Sequence, residues 1–339
     1  VSESGIKALI TVAGNPVLST PHSHQLSDAL EQLELMISVD IYLNETTRHA
    51  DIILPAPSQL QRDHYDVLLL QFAIRNVANY SPAVLPLDDG QPDEWEILAK
   101  LGLIAQGFGP DADPAQADDL AIDGLVRHSV GDPSSPIHGR DADEIIELLN
   151  KDGRFGPARM LDMMLQTGPY GAGFGLNPDG ASIELLLSHP HGVDFGALEP
   201  RLPDALRTRS GMIELAPPEL LADVDRLYAA IAELSQRGLV LIGRRHLKSN
   251  NSWMHNIEVL VKGKERCTLQ MHPNDAQRVG VKEGSVARIA SRVGAVDAVV
   301  ELTSDIRERV VSLPHGWGHD MSGTRMNVAA KRAGVNSNV

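Results

Sequence analysis

The sequence predicts an α/β Rossmann-like domain, present in part, over residues 1–109, a helical, acidic connecting region over 110–204, and a C-terminal β-barrel over 205–339. Three observations predict it. Two apolar runs near the start flank an amphipathic segment and end in polar residues, Gly14-Asn15-Pro16 and Asp40, the pattern of a parallel strand, helix, strand unit. Residues 111–204 carry 17 acidic against 6 basic residues and are rich in Asp, Pro and Gly. After residue 238, short apolar runs alternate with Gly280, Gly284 and Gly294, as they do in small closed barrels.

Residues 6–12, apolar but for Lys7 and Thr11, read as a strand buried on both faces. From Pro21 a helix is predicted, with Leu26, Ala29, Leu30 and Leu33 at helical spacing. Strands follow at 35–39 and 52–54, the second closed by Pro55-Ala56-Pro57, which cannot extend a central ladder. In open parallel sheets, ligands bind at the carboxyl ends of strands. Asn15 and Asp40 stand at such ends.

Residues 92–107 predict a capped helix, with Pro92, Asp93 and Glu94 at its positive end and Ile97, Leu98, Leu101 and Ile104 in one stripe. Short helices are predicted at 142–150 and 160–165. The glycine-rich run 168–175 has no strand before it and no helix after it, so it reads as a loop rather than a phosphate cradle. A short strand is expected at 210–215 and a helix at 219–234. Strands at 239–242, 267–271, 285–291, 296–302 and 310–313, with a helix at 273–278, make up the predicted barrel.

With 339 residues, 42% of them hydrophobic, the chain is long enough for two domains or slightly more. No apolar run approaches the roughly 20 residues of a membrane helix, so no membrane span is expected. The start, Val1-Ser2-Glu3, has neither initiator methionine nor signal-peptide pattern. An internal piece of a longer, cytoplasmic protein is the expectation. The single cysteine, Cys267, excludes a disulfide framework, a cysteine-rich zinc site and an iron–sulfur cluster held by this chain alone. A net charge of -15 argues against general nucleic-acid binding. Residues 240–272 nevertheless hold six basic and two acidic side chains, a local excess that suits an anionic small molecule.

Asp40 ends a predicted buried strand. A carboxylate there accepts two hydrogen bonds from a guanine edge, with Asn44 donating and accepting beside it, or else it caps the following turn. In Gly14-Asn15-Pro16, glycine permits close backbone approach and proline fixes the exit direction. The segment 243–256 leaves a predicted strand with Arg244, Arg245, His246, Lys248, Ser249 and Ser252. Its cations suit phosphates and its hydroxyls and amides suit ring edges, against the alternative of a solvated basic loop. His272 reads as a ligand or as a satisfied core histidine. His315 and His319 have the spacing of a metal pair, but flanking glycines and the lack of a third ligand weigh against one.

Gly14-Asn15-Pro16, followed by Asp40 and then by Glu45-Thr46-Thr47-Arg48-His49-Ala50-Asp51-Ile52-Ile53-Leu54-Pro55, resembles the nucleotide-binding portion of the molybdopterin-dinucleotide oxidoreductases, the dimethyl sulfoxide reductase and formate dehydrogenase superfamily. The resemblance covers about residues 5–60 and 208–330. It implies a barrel of double-psi type and, as cofactor, molybdenum or tungsten bis-molybdopterin guanine dinucleotide. Gly14, Asn15 and Pro16 would then approach the cofactor, and Asp40 and Asn44 would contact a guanine. Arg244, His246, Ser252 and Met254 would lie against the pterins, with Arg245 and Lys248 beside them. His315, Gly316, Trp317 and Asn327 would pass the dinucleotide.

In that family a protein ligand to the metal, and in many members an iron–sulfur cluster, lie upstream of the region matched. Cys267 is equivalent to neither. The resemblance therefore implies a piece of a catalytic subunit, inactive alone, whose whole performs two-electron redox or oxygen-atom transfer on a small-molecule substrate. Its expected partners are the remainder of the catalytic chain and an electron-transfer subunit. A non-catalytic electron-transfer scaffold of the same architecture, as in respiratory complex I, is the alternative. A nicotinamide-dependent Rossmann enzyme is a third, without the glycine-rich fingerprint it needs.

Overall fold

The computed structural model describes residues 5–234 and 238–338. The chain divides into two units, one of Val1–Pro55 with Thr208–Val339, the other of Ala56–Arg207.

The first unit opens with β1 (Ala8–Val12), α1 (Pro16–Ser19), α2 (Ser23–Leu30), β2 (Leu35–Val39) and β3 (Ile52–Leu54). The three strands are parallel in the order β1-β2-β3, with Thr11 opposite Ser38 and Ile37 opposite Ile52. The hydroxyls of Thr11 and Ser38 hydrogen-bond across the ladder at 2.7 Å. Asp51 ties β2 to β3, its carboxylate accepting from the Met36 amide at 2.7 Å and its own amide donating to the Met36 carbonyl at 2.9 Å. Val17, Leu30 and Met36 are buried beneath the helices with Leu9, Leu26 and Leu33.

Burial on both faces, expected of the first strand, does not hold. Residues of β1 alternate between exposed and half-buried, and Ile10 and Val12 are 48% and 46% exposed. The helices α1 and α2 cover one face of the sheet. The long apolar run therefore reflects one covered and one open apolar face. The helix foreseen from Pro21 is α2, Ser23–Leu30; ahead of it, Pro16 at an N-terminal position starts the additional short helix α1.

The same unit continues with α8 (Pro218–Ala222), α9 (Val224–Leu234), β8 (Val240–Arg244), α10 (Glu258–Val261), β9 (Thr268–Met271), α11 (Pro273–Val279), β10 (Val286–Ala290), β11 (Ala295–Leu302) and β12 (Val310–Pro314), the labels counting the second unit's elements given next. The five strands form one mixed sheet in the order β10-β11-β9-β12-β8, with parallel β11–β9 and β12–β8 pairs. Leu269, Met271, Val300, Val311 and Leu313 are its core. Among the described residues β8 and β10 are the outer strands of this order, so the ladder is that of a half-barrel. Residues 210–215 are exposed turns, not the strand expected, since no strand among the described residues pairs with them; local bonds such as Thr208 Oγ1 to the Met212 carbonyl hold the turn instead. His272 is half-buried rather than in the core: its Nδ1 accepts from the Asn274 amide at 3.2 Å and caps α11.

The second unit contains β4 (His64–Tyr65), β5 (Arg75–Ala78), β6 (Tyr80–Ser81), α3 (Glu94–Ala105), α4 (Pro114–Gly131), α5 (Ala142–Leu149), α6 (Pro157–Thr167), α7 (Ile183–Leu187) and β7 (Val193–Ala197). Asp93 and Glu96 form a reciprocal capping box on α3. The 18-residue α4, absent from the sequence reading, starts at Asp113-Pro114 and buries Ile122 and Val126 against Ile145, Leu149 and Met163. Arg154 pairs with Asp162 at 2.9 Å, and Arg159 with Asp118 at 3.2 Å. The loop at 168–175 is a loop, as expected. A Cβ on Gly171 would lie 2.1 Å from the Gln166 carbonyl oxygen, so its glycine serves close backbone packing rather than a ligand.

Candidate functional site

The turn after β1 is built around Asn15. Its backbone carbonyl accepts from Leu18 and Ser19, starting α1, while its side chain turns away from the helix. Asn15 Nδ2 donates to Glu45 Oε2 at 2.8 Å and reaches Ser252 Oγ at 3.4 Å, and Oδ1 accepts from Thr46 Oγ1 at 2.7 Å. The Thr46 hydroxyl also accepts from the Val17 amide at 3.1 Å. Gly14 is different. Its φ lies outside the left-handed region, and a Cβ there would meet nothing nearer than 3.8 Å. Nothing in the chain itself requires glycine at that point.

After β2 the chain closes on itself. Asp40 Oδ1 accepts from the Tyr42 amide at 3.0 Å and Oδ2 from Asn44 Nδ2 at 3.2 Å. Asn44 Oδ1 accepts from the Thr46 and Thr47 amides at 2.9 and 3.0 Å. Of the two roles open for Asp40, capping is the one visible within the chain. Burial raises the Asp40 carboxyl above its ordinary range, against the lowering effect of the Tyr42, Ile41 and Asn44 hydrogen bonds. Asp40, Asn44, Glu45, Thr46 and Thr47 are all buried.

The segment after β8 meets this turn within the same unit. Arg244, read from sequence as a phosphate partner, directs its donors to Ser312 O at 2.9 Å, Thr268 O at 3.0 Å and His246 Nε2 at 3.2 Å. Arg245 and Lys248 are exposed, with no hydrogen-bond or ion-pair partner among the described residues. They are the cations this loop leaves free. Gly243, like Gly14, has ordinary φ and open space where a Cβ would stand. Ser252 is buried, Met254 half-buried, and Asn327 exposed. Gly316 has φ of 85°, and a Cβ on it would lie 2.3 Å from the Asn251 carbonyl oxygen. The strand end at 314–317 thus touches the 243–256 loop backbone to backbone. The His315 amide completes the contact, donating to Arg244 O at 2.9 Å.

Three residues outside the predicted set lie at the centre. Glu45 Oε1 is 2.9 Å from His319 Nδ1, and His319 Nε2 is 2.9 Å from His255 Nδ1. Glu45 is 0% exposed and both histidines 1%. The His255 ring stacks on Trp317, with centroids 4.0 Å apart. His255 Nε2, Trp317 Nε1 and His246 Nδ1 are buried and have no partner among the described residues. Glu45 and His319 are 274 positions apart, so no local spacing announces them. Glu45 lies in the 45–55 run, His255 in the 243–256 segment, and His319 drew notice only through its spacing from His315. His319 is a member of this chain of contacts, and among the described residues no group of three or more His, Cys, Asp or Glu is placed to hold a metal ion.

The electrostatics follow from burial and these bonds. Burial alone would raise the Glu45 carboxyl, but the hydrogen bond and charge of His319, with Asn15, outweigh it and hold the group below its ordinary 4.5. Burial first, then His319, His246 and Arg266, depress His255 from 6.5 to about 3. His246 and His315 are also lowered, chiefly by burial. A depressed folded-state pKa contributes stability above the unfolded value that is lost as pH falls through the folded one. Unfolding free energy is therefore expected to fall as pH drops below 6.5, by up to about 1.4 kcal/mol per pH unit for each proton taken up only on unfolding, and Glu45 adds to the loss below 4.5. Urea titrations from pH 7.5 to 4 check this; a flat profile would show that the rings are not held neutral.

Two larger clefts, about 640 and 600 Å³, lie in the second unit and are lined by residues such as Trp95, Arg154, Met160 and Tyr170. Neither includes a predicted site residue.

Comparison with known proteins bears on both parts of the first unit. Residues 1–101 match the family model for molybdopterin oxidoreductase, and residues 239–339 the model for the molydopterin dinucleotide binding domain. The chain is 20% identical to the assimilatory nitrate reductase catalytic subunit of Bacillus subtilis over 98% of its own length and 41% of the relative's. It is 23% identical to the F420-dependent formate dehydrogenase subunit alpha of Methanocaldococcus jannaschii, over 93% and 39%. It is also 23% identical to the dimethyl sulfoxide/trimethylamine N-oxide reductase of Rhodobacter capsulatus, over 94% and 36%. Among solved structures, acetylene hydratase from Pelobacter acetylenicus superposes with a TM-score of 0.59 at 17% identity, over 97% of this chain and 40% of that one. The chain thus spans about two-fifths of the length of these relatives. No helix among the described residues is long and apolar enough to cross a membrane.

Proposed function

We propose, from the premise that this chain belongs to the molybdopterin oxidoreductase family, that it is the C-terminal portion of a molybdenum or tungsten bis-molybdopterin guanine dinucleotide enzyme with formate dehydrogenase-like chemistry. Residues 1–109 and 205–339 would be its Rossmann-like and double-psi barrel parts, with 110–204 as the connecting region. When bound, the group supplies a metal centre for two-electron redox or oxygen-atom transfer. The metal's protein ligand, any iron–sulfur cluster, the substrate and an electron-transfer partner belong, on this reading, to the rest of the protein.

The observation that carries the proposal is a pair of glycines at strand ends. Gly14 and Gly243 have no strained backbone and no crowding neighbour, so their missing side chains leave room that the chain does not use. A flat, polyanionic dinucleotide uses such room: backbone approaches it closely, and cations neutralise its phosphates. Arg245 and Lys248 are free to do so. Asp40 and Asn44 would present their remaining lone pairs and amide hydrogen to the guanine, while His315, Gly316, Trp317 and Asn327 would pass the dinucleotide. Arg244 and Ser252 would act from behind, by fixing the loop.

Substituting Gly14 by alanine separates this proposal from a structural role. The added methyl has room in the fold, so the unfolding midpoint should stay within the range of ordinary surface changes. Pterin retained by the full-length protein through gel filtration should fall by about tenfold or more, as expected of overpacking at a ligand surface. Unchanged pterin content would remove Gly14 from the site.

A further inference from the structure

The contact chain Glu45, His319, His255 is not needed to grip a dinucleotide. Its hydrogens nevertheless follow from its geometry. Asn15 Nδ2 occupies Glu45 Oε2 and His319 Nδ1 faces Oε1. A carboxylate only accepts, so His319 carries a proton on Nδ1. Two arrangements then satisfy the 2.9 Å contact between His319 Nε2 and His255 Nδ1. In one, His319 is neutral, His255 Nδ1–H donates to it, and His255 Nε2 is a bare acceptor. In the other, His319 is an imidazolium donating through Nε2–H to His255 Nδ1, and His255 carries its proton on Nε2. The two differ by one proton and by no heavy-atom position.

We propose that Glu45, His319 and His255 form a buried one-proton relay, which accepts a proton at His255 Nε2 and stores the charge at His319. The step balances without a co-reactant: an N–H bond forms at His255 Nε2, the Nδ1–H bond of His255 breaks as that proton moves to His319 Nε2, and no electron changes hands. His255 stays neutral and exchanges tautomers. The charge comes to rest 2.9 Å from the Glu45 carboxylate.

The surroundings favour that resting place. The groups acting on His255 are His319, His246 and Arg266, all of which oppose positive charge there, while the Gly316 backbone favours it and Trp317 covers the ring. On the other side, the side-chain partners of Glu45 among the described residues are Asn15 and His319. His246 Nε2 accepts from Arg244 Nε, so a neutral His246 carries its proton on Nδ1; that donor, like His255 Nε2, is buried without a partner among the described residues. The use of such a store in proton-coupled two-electron chemistry rests on the function proposed above.

The test is nitrogen NMR of the full-length, purified protein with isotope-labelled histidine, read from pH 5 to 9, with His255→Asn and His319→Asn used for assignment. In one titration step, His319 should change from Nδ1–H neutral ring to imidazolium while His255 changes from Nδ1–H to Nε2–H and remains neutral. In Glu45→Gln the midpoint should fall by at least one pH unit, a tenfold loss of proton affinity. If His255 keeps one tautomer across the range, becomes charged itself, or His319 does not titrate, the relay is overturned. Pterin assay of the same sample keeps the two ideas apart: a coupled titration in a pterin-free protein would leave the relay standing and remove the function.

Discussion

Replacement of Glu45 by leucine is expected to destabilise the first unit by about 2–6 kcal/mol, because two buried donors lose their acceptor and each costs about 1–3 kcal/mol. The residue is fully buried, and its two oxygens satisfy Asn15 Nδ2 and His319 Nδ1. Leucine satisfies neither, and no water reaches them. The damage spreads because Asn15 also holds Thr46 and begins α1, and His319 holds His255 under Trp317. Urea unfolding of the full-length protein, followed by tryptophan fluorescence, measures the loss. A change below about 1 kcal/mol, the scale of an exposed pair, would mean that the network is not closed as described.

Gly316→Ala is expected to cost about 3 kcal/mol or more. Two terms add. A non-glycine residue at φ of 85° is strained by about 1–3 kcal/mol, and the new methyl, placed 2.3 Å from the Asn251 carbonyl oxygen, forces backbone apart at an overpacking cost of about 1–3 kcal/mol. Asn251, itself at φ of 58°, cannot retreat without disturbing Ser252 and the turn that positions His255. Gly14→Ala is the internal control: the same methyl is added to the same unit without either term. Equal melting temperatures for the two variants would contradict the distinction drawn between a glycine the fold requires and one it does not.

Much of the fold is legible in the sequence because its signals are local. The strands at Leu35–Val39 and Val310–Pro314 are bounded by polar turns or glycines, and α3 announces itself through Asp93, Glu94 and Glu96. The misreadings have physical causes. A run such as Ala8–Val12 looks the same whether its second face is covered or open, since apolar residues on both faces do not say what packs there. The α4 helix, with Gly124 and several Asp residues, has low apolar contrast and hides among acidic loops. His272 looked like a core or ligand group because a histidine N-cap has no distinctive spacing.

The site was legible in a different proportion. Asn15, Asp40, Asn44, Ser252 and Trp317, singled out in the sequence, are buried residues of one unit. The sequence misjudges what each group is free to do. Arg244 looks like the phosphate partner, but its guanidinium fits three acceptors of the surrounding strands and loop, and the free cations are its neighbours Arg245 and Lys248. Glu45, His255 and His319 were missed as a group because their contacts join positions up to 274 residues apart, and pairing at that distance is set by topology rather than by any periodicity.

The central claim is that these strand ends hold a molybdopterin dinucleotide, and chemical analysis of the full-length protein tests it most directly. Denatured and hydrolysed, the purified protein is predicted to release oxidised pterin and guanosine monophosphate in stoichiometric amounts, together with molybdenum or tungsten. Absence of all three from a folded protein produced in cells that make the cofactor would contradict the claim and would leave the electron-transfer scaffold as the reading of this chain.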